Sequence, residues 1–302
     1  MEYILENVWT AENESRKKNV YVKNNTICYV SDRPLKIKCM KVNTNGLQFI
    51  PGYIMRDFSL ESLDTESLLK RCEEVINLGC TTLVTTFSIR YGKEIEDRYN
   101  RFLNHLSVMP IDYVIGLSIP MRRITPAIVR FCQKKKVPFI YAVVEQEEDP
   151  DTVVWEWIRN VNFPYTIPII PGWGQLALHD KRTMQLKDNW QRICRMKSIT
   201  TIQSFPLEEQ PLTKYHLQEL GIYPKKGSWI TGSDVDYQVY QQDPSLAAPP
   251  RVQYDKSNKP LLVVRNGTDL KVGGDLRINP GTGKHLKITR PGLFRAMTDD
   301  LL

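Results

Sequence analysis

The sequence predicts an α/β protein: a TIM-like (β/α) barrel, shortened or incomplete, joined to a composite β-sandwich drawn from both ends of the chain. Three observations predict it. Between residues 51 and 220, apolar runs of strand length alternate with stretches of helical period, repeating about every 30 residues, the pattern of a parallel sheet covered on both faces. No Gly-x-Gly-x-x-Gly turn occurs, which favours a barrel over a dinucleotide-binding sheet. Both ends are rich in short strands, and neither end alone can bury a core. The expected divisions are 1–50, 51–220 and 221–302.

In order, residues 3–9 and 19–22 alternate, Asn24-Asn25 supplies a turn, and 27–30, 37–42 and 47–50 continue the β pattern. Barrel strands are expected at 49–55, 81–87, 113–119, 138–144, 166–170 and 200–205. The helix between the first two presents Leu68, Cys72, Val75 and Ile76 on one face. The next presents Ile95, Tyr99, Phe102, Leu103 and Leu106, and the third Ile128, Val129 and Cys132. Val153, Val154, Trp157 and Ile158 mark a fourth, and Met184, Lys187, Trp190, Ile193 and Cys194 a fifth. That makes six strand–helix units where a closed barrel needs eight. Beyond Leu220, residues 221–240, 261–264, 269–272 and 284–288 are expected to be extended.

Composition narrows the function classes. The chain of 302 residues is 41% hydrophobic and 25% charged, ordinary for a globular protein. Its longest apolar runs, such as 137–144, are too short to span a bilayer. The first eight residues lack a basic stretch, so no secretory leader is expected. Six scattered cysteines without a Cys-x-x-Cys pair point to free thiols in a reducing, cytoplasmic setting. The net charge of +7 raises nucleic-acid binding, but the cations are dispersed, and Lys134-Lys135-Lys136 complement a helix C-terminus. Gly281-Thr282-Gly283-Lys284 lacks phosphate-loop spacing and reads as a turn.

Three segments carry a resemblance. Leu47-Gln48-Phe49-Ile50-Pro51-Gly52-Tyr53-Ile54 and Leu78-Gly79-Cys80-Thr81-Thr82-Leu83-Val84 are short. The third is longer: Gly221-Ile222-Tyr223-Pro224-Lys225-Lys226-Gly227, leading into Gly232-Ser233-Asp234-Val235-Asp236 and an apolar strand. Together they resemble the amidohydrolase superfamily, in its dihydropyrimidinase, hydantoinase and dihydroorotase-like branch. The resemblance implies a metal-dependent barrel inside a two-ended sandwich. It also implies a degenerate member. On Pro51-Gly52, the two strand-1 histidines of the family fall on Asp57 and Ser59, and the preceding aspartate on Met55. No lysine stands at 143–146. The strands ending at Trp173 and Pro206 lack the family's histidines.

The chain has four histidines. His105 is expected in mid-helix, His216 in a short helix and His285 in the C-terminal sandwich. His179 alone falls where a barrel mouth would be, as a candidate ligand or a solvated loop residue. Asp57 and Glu145, after strands 1 and 4, can serve as acid and base across the mouth; the competing reading makes 145–151 an acidic loop capping a helix. Arg56, Arg90, Arg122 and Arg123 can bind a small anionic ligand there, or stand apart on the surface.

Two functions follow. In the first, the chain is a catalytically inactive amidohydrolase-like protein that acts as a binding or assembly module, with no metal or other cofactor. In the second, it is a divergent hydrolase of C–N bonds, working with a divalent metal through Asp57, Glu145 and His179. A homo-oligomer or another protein subunit is the expected partner, with Leu293, Phe294 and Met297 as a contact cluster, or else as a tail folded over its own barrel.

Overall fold

The computed structural model describes residues 2–9, 17–145, 149–173, 181–241 and 254–295. The N-terminal strands β1 (Glu2–Trp9), β2 (Lys17–Lys23), β3 (Thr26–Ser31) and β4 (Met40–Asn43) form one sheet in the order β3-β2-β1-β4. Asn24 and Asn25 both take positive φ, 51° and 59°, as a two-residue hairpin turn of this hand requires. A second sheet, ordered β14-β13-β12-β11-β5, joins β5 (Leu47–Pro51) to β11 (Tyr237–Gln241), β12 (Leu262–Arg265), β13 (Thr268–Val272) and β14 (Asp275–Leu276). The two sheets share an apolar cluster. Leu5, Val8, Val20, Val22 and Ile27 meet Phe49, Trp229, Tyr237, Val239 and Val264 there. Strand alternation puts Tyr3 and Leu5 into the cluster and Ile4 on the opposite face.

The third sheet is wholly parallel and open, ordered β10-β9-β8-β7-β6. It comprises β6 (Tyr53–Arg56), β7 (Cys80–Ser88), β8 (Asp112–Pro120), β9 (Ile140–Val143) and β10 (Ile169–Gly172). Each strand pairs with its neighbour in sequence, and the helices α1 (Thr65–Asn77), α2 (Ile95–His105), α3 (Pro126–Lys135), α4 (Trp155–Asn162) and α5 (Lys181–Lys197) intervene along the chain. The local reasons are familiar. Asp64 caps α1 by accepting from the Ser67 amide at 2.8 Å, and Thr125 with Pro126 opens α3. The faces of α1 and α3 are as expected. In α4 the phase is shifted by one: Trp155, Ile158 and Asn162 turn inward, and Val154 and Trp157 are exposed. In α5, Thr183 and Leu186 replace the expected Met184 and Lys187 on the buried face.

The described sheet is therefore half a barrel. The strand expected at 49–55 divides at Gly52, with β5 going to the antiparallel sheet and β6 to the parallel one. The strand expected at 200–205 shrinks to a single bridge between Thr201 and Ile169. At the opposite edge, Pro211 bridges Met55 in the antiparallel sense, and the Leu212 amide donates to the Ile54 carbonyl at 2.8 Å. Residues 201 and 211 thus sit on the two edges of one sheet. Helix α6 (Lys214–Leu220) then enters the concave face, where Leu217 and Leu220 join Ile54, Val84, Val114, Phe139 and Ile170 in a core. Residues 221–236 make turns rather than the expected strand, because Gly221, Gly227 and Gly232 all take positive φ. Residues 284–288 leave the sandwich altogether. His285 bridges Tyr113 of β8 and stacks on its ring at 5.6 Å between centroids.

Candidate functional site

The C-terminal ends of parallel strands are where a barrel of this kind places its chemistry, and alternation decides which side chains reach it. Along β6, Ile54 belongs to the concave core and Met55 to the helix-covered core. A period of two then sends Arg56 inward and Asp57 outward. The contacts agree. Arg56 donates to the Pro206 carbonyl, and its guanidinium lies 5.2 Å over the Phe58 ring. Asp57 is fully buried on the α1 side. Its Oδ2 receives Arg71 Nε at 2.6 Å, and its Oδ1 receives the Ser59 amide at 2.9 Å and hydroxyl at 2.6 Å.

Arg71 extends that network to Glu209 at 2.7 Å and Glu74 at 3.0 Å, and Lys256 pairs with Glu209. Burial lowers the Arg71 pKa, but Asp57, Glu209 and Glu74 outweigh it and raise the net value. Asp57 is thus engaged as an anchor for α1. Sequence reasoning missed Arg71, although a signal was present. Arg71 falls within the apolar stripe Leu68–Cys72–Val75 of α1, and a charge at that position needs a partner.

Glu145 pairs with Arg122 at 2.8 Å, with both side chains partly solvated. Arg123 lies 5.1 Å over the Tyr91 ring, and Arg90 is exposed. Arg56, Arg122 and Arg123 therefore engage three different partners, and Arg90 stands apart on the surface. His179 lies outside the described residues. The other histidines are dispersed. His105 Nε2 contacts the Leu60 carbonyl at 3.1 Å. His216 lies between Thr213 Oγ1 at 2.7 Å and the Ser204 carbonyl at 3.0 Å, and burial lowers its pKa.

The concave face itself is occupied by aromatic rings. Phe58 sits 5.0 Å from Tyr141, 5.8 Å from Phe205 and 6.3 Å from Phe139, centroid to centroid. Two strand glycines make the space. A Cβ on Gly116 would lie 2.1 Å from the Phe139 ring, and one on Gly172 would lie 2.6 Å from Tyr141. Such edge-to-face groups are stabilising and leave apolar surface where imidazole and carboxylate donors would have to stand. A zinc-type centre needs three or four such donors on one point. Among the described residues no three His, Cys, Asp or Glu side chains form such a group. The described donor set does not fit the metal that the amidohydrolase layout implies.

The opposite end of the sheet carries most of the buried charge. Lys226 Nζ contacts Asp112 and Asp236 at 2.6 Å each and Asp234 at 3.0 Å. Arg265 Nη1 approaches Asp112 at 3.2 Å, and the Asn266 amide donates to Asp236 at 2.8 Å. Burial depresses the Lys226 pKa, but the three carboxylates outweigh it and hold the ammonium above its ordinary value. Burial raises the Asp236 pKa. Lys226, Asp234 and Asp236 belong to the segment that carried the sequence resemblance, and here they serve packing between β8 and the second sheet.

No family model and no curated protein matches the chain. Solved structures do. A D-hydantoinase superposes with a TM-score of 0.64 at 12% identity, over 97% of this chain and 99% of that one. The dihydropyrimidinase from Brevibacillus agri NCHU1002 gives 0.62 at 10% identity, over 98% and 100%. The D-hydantoinase from a Bacillus sp. AR9 gives 0.64 at 10%, over 95% and 99%. Half-barrel and flanking sheets together have the fold of the hydantoinases and dihydropyrimidinases.

Proposed function

We propose that this chain is a non-catalytic, amidohydrolase-like binding or assembly module that works in the cytoplasm. One observation carries the reading: Phe58, Phe139, Tyr141 and Phe205 fill the concave face at the strand ends, while Asp57 points away from it onto Arg71. A hydrolytic site needs that volume for substrate and activated water. Six free cysteines, four of them buried, support a reducing compartment. No helix among the described residues is long and apolar enough to cross a membrane.

The test uses the full chain purified without chelator. Elemental analysis is expected to find no stoichiometric zinc, manganese or cobalt, and supplying them is expected to give no turnover of dihydropyrimidines, hydantoins or dihydroorotate. Stoichiometric metal with turnover abolished by His179→Ala or Glu145→Gln would overturn the proposal. Self-association belongs to the same reading. Leu293 and Phe294 are half exposed, although Phe294 also meets Tyr223 at 6.2 Å and the neighbouring Arg295 is tied to Glu219. Met297 lies outside the described residues.

A further inference from the structure

Beyond β10 the parallel sheet ends on an edge that is only partly made. The Ile169 amide donates to the Thr200 carbonyl at 2.9 Å, and Ile169 bridges Thr201 in the parallel sense. That pattern leaves the amide and carbonyl of Thr201 itself on the far side, and neither has a partner among the described residues. The edge is nonetheless held in place. Thr201 Oγ1 accepts from Trp190 Nε1 at 3.2 Å and donates to the Ile169 carbonyl at 2.7 Å.

A cavity of about 590 Å³ opens along this edge between α5 and α6, bounded by Trp190, Cys194, Arg195, Ile199, Tyr215 and Gln218. A second of about 340 Å³ continues it, sharing Gln191 and Arg195. The groove has apolar walls and a defined electrostatic sign. Glu219, its acidic residue, is neutralised by a two-pronged contact with Arg295, at 2.6 and 2.5 Å. Arg195 is exposed and makes no ion pair among the described residues. Helix α5 carries Lys181, Arg182, Lys187, Arg192, Arg195 and Lys197 against one acid, Asp188. Of these cations Arg192 is paired with Asp151 and Lys197 with Glu156.

We infer that this groove takes an extended acidic segment of a partner protein, which adds as a strand to the edge at Thr201 and sets a carboxylate on Arg195. The inference rests on the binding-module reading and names its surface. Strand addition explains both halves of the site. Main-chain bonds to the open edge supply affinity, and alternate side chains meet the apolar wall and the arginine. An unpaired edge is otherwise a liability that folded proteins cover or blunt.

The probe is a fluorescein-labelled, acetylated Val-Glu-Val-Glu-Val-Glu amide, titrated with the full chain by fluorescence anisotropy. Saturable binding is expected. N-methylation of one alternate set of its amides should weaken it by at least about tenfold, and of the other set should leave it unchanged, since only one set faces the edge. Arg195→Glu should weaken binding by about tenfold, and Arg182→Glu, on the same helix outside the groove, should not. Both residues are exposed, so neither change threatens folding. Equal effects of the two N-methylated sets, equal binding of a lysine-containing peptide, or displacement by a single-stranded oligonucleotide regardless of methylation would overturn the inference. So would an absence of peptide binding by a metal-free, inactive protein. Turnover of a cyclic amide would instead overturn the non-catalytic reading and leave the peptide measurements standing.

Discussion

The two ends of the parallel sheet solve opposite problems. At the end where strands finish, the concave face is closed with rings, and the buried carboxylate of Asp57 is turned outward to fasten a helix. At the end where strands begin, Asp112 at the start of β8 stands in a largely buried cluster with Lys226, Asp234, Asp236 and Arg265. In barrel enzymes the first end is the chemical one and the second the structural one. On the proposed reading both ends here are structural, and they differ in what would fail if each were cut. A ring cluster loses contacts gradually. A buried charge cluster that loses one member is left with uncompensated charge.

The sharpest test of that difference is Lys226→Met. It leaves three carboxylates facing one another, with Arg265 on Asp112 and the half-exposed Lys225 on Asp234, and a cost of about 3–5 kcal/mol is expected in urea unfolding. A cost below about 1 kcal/mol, as for a surface pair, would show that the beginning of the sheet does not depend on its ions. Asp57→Asn should cost less, about 2 kcal/mol, because Arg71 keeps Glu209 and Glu74 and the amide oxygen can still accept from Ser59. Thermal melting of the two variants side by side ranks them; the reverse order would contradict the comparison.

The smallest effect is one of pH. Burial holds the His285 pKa down to about 4, and Lys287 adds to it, while Nδ1 has no hydrogen-bond partner among the described residues. The unfolded chain binds this proton near pH 6.5, so between about pH 6.5 and 4 it holds more protons than the folded one. The stability that His285 contributes is therefore complete above that window and lost as pH falls through it. His285→Phe keeps a ring against Tyr113 and cannot titrate. Its unfolding free energy should fall less steeply than that of the natural chain over this window; parallel curves would remove His285 from the account.

Much of the fold is written in periodicity, and the exceptions are instructive. The faces of α1 and α3 follow from spacing because their apolar positions are unambiguous. The face of α4 does not, because Val153, Val154, Trp155, Trp157 and Ile158 are all apolar and several phases fit. The fate of residues 200–205 is also hidden locally. An apolar run becomes a strand only if a neighbour pairs with it, and here the chain turns into the concave face instead. The candidate site was legible as a list and not as an arrangement. Asp57 and Glu145 do follow strands 1 and 4. A one-residue alternation turns Asp57 away, and the sign of its partner lies fourteen residues on, in the charge that Arg71 sets within the apolar stripe of α1.

The pairing of β5 with β11 has a consequence in time. The Gln238 side chain donates to the Pro51 carbonyl across 187 residues of chain, and the second sheet cannot assemble until both are present. At ribosomal rates of about 5–20 residues per second, that interval is roughly 10–40 s. Through it, Leu5, Val8, Val20 and Val22 have no opposing sheet. The parallel strands, each pairing with its predecessor, can form as they emerge. Strands β1 to β4 are thus made before the parallel sheet and covered after it, and for that interval the nascent chain presents an apolar β-face of the kind that holding chaperones recognise.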